Sequence, residues 1–390
     1  MLKIDWSGKT YNYTDSEFKY FTKVIKNSDT FTQGGQLKKF EHELRKFLKK
    51  KNIFATSSAA ASLEIIALLL NIKKGDEIII PAHTYCASAI PFARHGAKIV
   101  WVDINENRVI DLSDLKKKIT NKTKAVVAVH LYGFCIDVGS IRKIVGKKVK
   151  IIEDCAQAFG SQFKGKKAGT TGDYSCYSFH SQKNLTTLGE GGAVFIKSNL
   201  ESKKVAGLRH NGHSNFKFSR KDYWIPAMGN VDEDLKNFWP YKFTLSEIQC
   251  AAGYLGIKKI NKYNQIRINR AKKFIKYLSN IKELEFNKFF YSKRHVYHLL
   301  VAKCKKNKYF SRDDLIRILY KKYKIKCIVQ YYPLYKYDLF KKKGFGTAKC
   351  PNTESYYSKM ISFPHYVHMS KEKFNYMIKS VINAVRFLKK

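Results

Sequence analysis

The sequence predicts an α/β protein: a large domain built on a mainly parallel sheet, followed by a smaller C-terminal α+β domain. Three observations carry this expectation. Short runs rich in Ile and Val recur along the first half of the chain, stretches with helical spacing lie between most of them, and the texture changes after about residue 255. Buried strands alternating with helices form parallel sheets, because each crossover helix covers a face of the sheet.

The elements follow in order. Residues 35–50 (GQLKKFEHELRKFLKK) place Leu37, Phe40, Leu44 and Leu48 at helical spacing. A second helix is expected from Ser58 to about Leu70, with apolar residues at 63, 66, 67 and 70. Four strands are expected at EIII before Pro81, KIVWVDI at 98–104, AVVAVHLYG at 125–133 and KIIEDCAQAFG at 150–160. Helices at 111–119 and 137–146 separate the later ones, and YSCYSFH and GGAVFIK are further strand candidates. A long charged helix at about 257–279 opens the second half, which ends in the helix KEKFNYMIKSVINAVRFLKK. The domain division is therefore placed at 1–255, including an N-terminal arm, and 256–390. The stretch 211–243 is too long for a passive connection and too aromatic for a disordered one.

Composition narrows the function classes. With 390 residues and 44% apolar content the chain can bury a sizeable core. No run of about 18 apolar residues occurs, so no membrane span is expected. The start, MLKIDWSGKTYNYTDSEF, lacks a charged segment followed by an apolar one, so no secretion signal is expected. Eight cysteines (Cys86, Cys135, Cys155, Cys176, Cys250, Cys304, Cys327 and Cys350) are scattered without a CxxC pair. That argues for reduced core thiols and a cytoplasmic location. The formal charge of +43 would attract nucleic acid. The basic residues are spread from end to end, however, which favours lysine as the ordinary surface residue and disfavours nucleic acid as a partner.

Chemistry concentrates between residues 150 and 192. Asp154 ends the strand KIIED, and ligands in open α/β sheets bind beyond the carboxyl ends of strands. Alone, such an aspartate is more often a turn former or helix cap. Lys183 follows in SFHSQKNLTTLGEGG, after another strand and before a glycine-rich turn. A lysine and an aspartate on neighbouring strand ends are what pyridoxal phosphate requires: an amine for the Schiff base and a carboxylate that keeps the pyridine nitrogen protonated. An ordinary ion pair is the competing reading.

The pieces TQGGQLKKFE, GDEIIIPAHTYCASA, GAKIVWVDI, VAVHLYG, EDCAQAFGSQFKGKKAGTTGDYSCYSFHSQKNLTTLGEGGAV and LRHNG resemble, in order and spacing, the DegT/DnrJ/EryC1/StrS family. These are pyridoxal-phosphate-dependent sugar aminotransferases of the type I, aspartate-aminotransferase-like fold. The likeness covers about residues 30–255 and continues more faintly in YYPLYKYDLF and CPNTESYYSKMISFP. It implies that Lys183 forms the Schiff base and shuttles the proton, and that Asp154 faces the pyridine nitrogen. It further implies that Gln157 approaches the cofactor's phenolic oxygen, Tyr85 stacks on the ring, and Ser178 binds the phosphate. Ser58, Ala59 and Ala60 stand where relatives carry a Ser-Gly-Thr or Ser-Ala-Thr phosphate loop. The threonine hydroxyl is missing at Ala60, so the helix start must hold the phosphate through backbone N–H groups. Lys242 stands at the position of an asparagine that reaches the partner subunit's phosphate, which implies a homodimer with shared sites. His180 is expected either to touch the sugar or only to pack.

The resemblance implies transfer of an amino group from glutamate or glutamine to a keto-sugar, typically a nucleotide-linked 4-keto- or 3-keto-6-deoxy sugar, in amino-sugar or surface-polysaccharide synthesis. Relatives that remove a sugar hydroxyl carry histidine at the position of Lys183, so lysine favours transamination. The competing hypothesis is a non-catalytic regulator or nucleic-acid binder that keeps the fold. The pairs His210/His213 and His365/His368 have a spacing compatible with metal, but no nearby carboxylate or cysteine completes either set, so no metal is expected.

Overall fold

The computed structural model describes residues 2–8, 10–213, 224, 235, 238–287 and 293–389. Most of the 211–243 stretch singled out above lies outside them.

Seven strands form the central sheet: β1 (Ile53–Thr56), β2 (Glu77–Pro81), β3 (Lys98–Val102), β4 (Thr123–Val129), β5 (Lys150–Asp154), β6 (Tyr174–Ser178) and β7 (Gly192–Ile196). Their order is β1-β7-β6-β5-β4-β2-β3. The five strands β3, β2, β4, β5 and β6 run parallel. β7 is antiparallel to both of its neighbours, so β1 points the same way as β6. The sheet is buried on both faces, which is why its strands read as apolar runs and not as alternating ones. Ile78, Ile80 and Val127 pack into one cluster and Ile79, Val126 and Ile151 into another, on opposite faces.

Helices α1 (Asp15–Asn27), α2 (Gly35–Leu48) and α3 (Ala59–Leu69) precede or interrupt the first strands. The apolar stripe of α2, Leu37, Phe40, Leu44 and Leu48, is buried as its spacing predicts. Ser58 caps α3, its Oγ accepting the Ala61 N–H at 3.0 Å.

The helix expected at 257–279 instead spans Glu247–Tyr277. Its start is set by a capping box: Ser246 Oγ accepts from the Gln249 N–H, and Gln249 Oε1 accepts from the Ser246 N–H. Glu247 in its first turn accepts the N–H groups of Gly34, Gln36 and Leu37, tying the start of α2 to this helix. The helix passes unbroken through residue 255.

Beyond it, a three-stranded antiparallel sheet (Leu284–Glu285, Leu300–Cys304, Met360–Phe363) is covered by helices Arg312–Lys321 and Lys371–Leu388. Ile4, from the N-terminal stretch, packs into this cluster, whereas Leu334, Tyr335 and Phe340 pack against the large sheet. The architecture is the α/β plus α+β arrangement expected, with the chain crossing between its parts more than once. Among the described residues no helix is long and apolar enough to cross a membrane.

Candidate active site

The predicted residues gather at one edge of the central sheet. Asp154 and Ser178 are the last residues of β5 and β6, and Tyr85 and Gln157 lie just beyond β2 and β5. Ser58 follows β1, which shares this edge because Thr56 and Ser178 both lie opposite Gly192. Parallel strands bring their carboxyl ends together, so residues far apart in sequence meet there.

Asp154 is buried. Its Oδ2 accepts the Ser88 hydroxyl at 2.7 Å and its Oδ1 accepts the Ala156 N–H at 3.0 Å. Thr84 lies within 3.1 Å of the same Ser88 hydroxyl. An ionised carboxylate offers about four lone-pair sites, so this one keeps acceptor capacity for a further donor.

Lys183 sits in the tight connection from β6 to β7. The connection is pinned by Phe179 N–H to Gly191 O (2.7 Å), Ser181 N–H to Gly189 O (2.7 Å) and Thr187 N–H to Phe179 O (3.0 Å). The lysine's own N–H donates to His180 O at 2.8 Å. The next residue, Asn184, is buried and donates to Asn264 Oδ1 at 2.8 Å, fixing the turn against the long helix. Burial pushes the Lys183 amine down to about 8, opposed by the negative charges of Asp154 and Glu190. The aspartate and the lysine therefore act on one another across the same edge.

The start of α3 faces this edge. A Cβ on Gly192 would lie 2.3 Å from the Ser58 carbonyl carbon and 2.6 Å from the Ala59 nitrogen, so only glycine lets β7 approach the first turn so closely. Ala59 and Ala60 offer backbone N–H groups there and no side-chain donor. The Ser178 hydroxyl accepts the His180 N–H at 3.4 Å.

Gln157 uses both ends of its amide: Oε1 accepts the Tyr132 N–H (2.7 Å), and Nε2 donates to the Tyr331 hydroxyl (2.7 Å). One amide N–H remains for a ligand oxygen. Tyr85 is 57% exposed, its ring centroid 6.0 Å from that of Tyr331. His180 is partly exposed, with Nε2 3.7 Å from the Glu190 carboxylate. Lys242 is exposed and pairs through its backbone with His210, whose pKa is lowered by burial and then by Lys242.

Several neighbours carry no signal read from the sequence. Tyr331 lies within the quoted YYPLYKYDLF but received no role; it stacks at 6.5 Å on Tyr132. The Tyr132 hydroxyl donates to Gln330 O and receives a bond from His83 Nε2 (2.6 Å). Burial drives the His83 pKa down to about 3, so its ring is neutral and Nε2 carries the proton. Ser88 belongs to the quoted AHTYCASA and was likewise unassigned.

Among the described residues, one group brings three metal-type ligands together: His130, Glu153 and Cys155. It is a closed hydrogen-bond network. His130 Nδ1 accepts the Ile136 N–H, so the ring proton is on Nε2 and is donated to Glu153. Both Glu153 oxygens also accept backbone N–H groups, from Gly169, Thr171 and Gly172.

The residues fit pyridoxal phosphate on three counts. There is a buried amine of lowered pKa, a buried carboxylate with capacity to spare, and a glycine-floored helix start. Comparison with known proteins agrees: the profile of the DegT/DnrJ/EryC1/StrS aminotransferase family matches residues 12–382. GDP-perosamine synthase of Vibrio cholerae is 28% identical over 95% of both chains. The dTDP-3-amino-3,6-dideoxy-alpha-D-galactopyranose transaminase of Aneurinibacillus thermoaerophilus is 29% identical over 92% of both. Among solved structures, Helicobacter pylori PseC, an aminotransferase of pseudoaminic acid biosynthesis, superposes with a TM-score of 0.86 at 26% identity, covering 98% of this chain and 99% of that one.

Proposed function

The chain belongs to the DegT/DnrJ/EryC1/StrS aminotransferase family, and from that premise we propose that it transfers an amino group from glutamate or glutamine to a nucleotide-linked keto-sugar. A 4-keto- or 3-keto-6-deoxy sugar is the acceptor this reading favours, since relatives are named for GDP-perosamine and for a dTDP-3-amino-3,6-dideoxy sugar. The donor leaves as the keto acid and the acceptor carbonyl becomes an amine.

The observation that carries the proposal is Lys183, held at the same sheet edge as Asp154 with its pKa lowered to about 8. When bound, pyridoxal phosphate supplies an electron sink that carries the amino group from donor to acceptor. Asp154 would keep the pyridine nitrogen protonated, itself oriented by Ser88 and Ala156. The lowered pKa of Lys183 leaves an appreciable neutral fraction near pH 8, so Nζ can bond the cofactor and later move a proton to and from the substrate carbon. Gln157 would direct its free N–H to the phenolic oxygen. Tyr85, with an open face, would cover the ring. Ser178, Ser58 and the N–H groups of Ala59 and Ala60 would hold the phosphate, with Lys242 contributed by a second copy of the chain as a point charge. His180, partly exposed, is assigned to the sugar.

The test is spectroscopic. Protein loaded with pyridoxal phosphate should be yellow and lose its long-wavelength band on addition of glutamate or glutamine. A panel of nucleotide keto-sugars should then restore it selectively. A protein that takes up no cofactor, or whose band no amino donor changes, would overturn the proposal.

A further inference from the structure

Lys183 also lines a recess formed where the long helix and the loops before Leu300 and after Phe363 meet. Its cavity of about 60 Å³ is lined by Lys183, Arg267, His298, His365, Tyr331 and Trp6, among others. That is several times the about 10–15 Å³ that one water occupies. Among the described residues lining it there is no aspartate or glutamate.

Arg267 is the unusual member. It is 2% exposed, and no carboxylate pairs with it among the described residues. Its Nη1 donates to His365 O at 2.9 Å and to His298 O at 3.4 Å, while Nε has no partner. His365 Nε2 is also buried and unpartnered. A buried guanidinium with two carbonyls and no anion is costly, because carbonyl dipoles replace only part of its hydration. Burial and the neighbouring Arg270 push its pKa down to about 10, which leaves it charged at neutral pH. His298 and His365 are held well below 6.5, both by burial first and then by positive neighbours, so they are neutral and can act as donors without adding charge. His298 Nδ1 lies 3.3 Å from Asn184 Oδ1, which links this recess to the turn that presents Lys183.

We propose that the Arg267 recess is the carboxylate subsite for the amino donor, with Arg267 as its counter-charge and His365 as an additional hydrogen-bond donor. The inference rests on the aminotransferase reading above and deepens it. The donor must present its amine to Lys183 while its carboxylate needs a positive, water-poor partner nearby. This cavity holds both cationic side chains and lacks acids that would repel the ligand. A donor without a carboxylate gains nothing from it.

The wild type is judged first, by conversion of its cofactor band with glutamate; failure there counts against the aminotransferase reading and not against Arg267. Two probes are then applied to cofactor-loaded wild type, Arg267→Lys and Arg267→Gln. Glutarate, which has the carboxylates but no amine, is titrated by calorimetry. Hydroxylamine, which attacks the same cofactor carbon without a carboxylate, is followed by absorbance. Glutarate affinity should fall at least tenfold in both variants, with hydroxylamine reactivity within twofold of wild type. Unchanged glutarate affinity, or a hydroxylamine rate that falls as steeply as the affinity, would overturn the proposal and leave Arg267 as a strut between two loops.

Discussion

Replacing Lys183 by methionine should stabilise the cofactor-free protein while abolishing its chemistry. A drop in the amine's pKa from 10.5 to about 8 means that burial disfavours its charged form in the fold. At about 1.36 kcal/mol per tenfold in proton affinity, the penalty at neutral pH is about 3 kcal/mol. Unfolding entropy of about 2.1 cal/mol/K per residue, over 390 residues, is about 0.8 kcal/mol/K, so Lys183→Met should raise Tm by about 4 °C at pH 7. The sign of the pH dependence is fixed. Between the folded value of about 8 and the unfolded value of about 10.4, the unfolded chain binds more protons, so wild-type stability rises with pH. The variant's advantage is therefore full below pH 8, falls to about 1 kcal/mol at pH 9.5 and vanishes above the unfolded pKa. Paired thermal melts of both cofactor-free proteins at pH 7 and 9.5 measure it, and taking the difference cancels every other titrating group. A variant no more stable than wild type at pH 7, or equally advantaged at both pH values, would refute the placement of a charged amine in a buried site.

Three further outcomes follow from the same geometry. Asp154→Asn keeps the shape and an acceptor but not the charge, so turnover should fall about 100- to 1,000-fold with cofactor uptake retained; absorbance and coupled turnover assays separate the two. Gly192→Ala puts a methyl 2.3 Å from the Ser58 carbonyl carbon. Overpacking of about 1–3 kcal/mol should weaken cofactor affinity roughly tenfold to a hundredfold, measured by equilibrium titration. If Lys242 completes a partner's site, Lys183→Ala and Lys242→Glu proteins should each be inactive. Mixed, they should recover about a quarter of wild-type activity, since one intact site forms in each hybrid of a two-fold dimer; no recovery would count against the shared site.

What the sequence made legible was set by signal length and locality. β2, β3, β4, β5 and β7 each carry consecutive apolar residues that mark them in the sequence, while β6 (YSCYS) mixes serine with buried aromatic and sulfur side chains. β1 went unseen because IFAT is four residues beside a lysine run, and its pairing with β7 is made 140 residues away. Helix α1 went unseen because only Phe21 and Val24 of its apolar residues are buried and much of its length is polar. The long helix begins ten residues before the expected 257, and Ser246–Gln249 carries the capping-box signature that marks its start. At the site, Lys183 and Asp154 stood in contiguous, informative stretches. Tyr331 and His83 lie in quoted stretches and Arg267 does not, but the role of each depends on contacts distant in sequence: Tyr331 meets Gln157 across 174 residues and Arg267 meets His365 across 98. The quoted TQGGQ piece is held in place by one contact, Glu247 accepting the N–H groups at the start of α2.

The dipeptide Glu153–Asp154 shows why position on a strand, not residue type, decides which carboxylate can bind a ligand. Neighbours on a strand point to opposite faces. Glu153 turns to the side where His130 donates at 2.8 Å and the N–H groups of Gly169 and Thr171 at 2.7 and 2.8 Å, with Gly172 adding a fourth donor. Its about four acceptor sites are thus all taken, and it fastens the 169–172 turn as a finished structural joint. Asp154 turns to the other side and receives two donors. Each of its oxygens is thus satisfied once and has a lone pair to spare. A ligand with a donor, such as a protonated ring nitrogen, is what that spare capacity could accept. The same argument covers the spare N–H of Gln157 and the unpartnered Nε of Arg267. Asp154, Gln157 and Arg267 each keep unspent hydrogen-bonding capacity, and Arg267 shares with Lys183 the lining of one cavity.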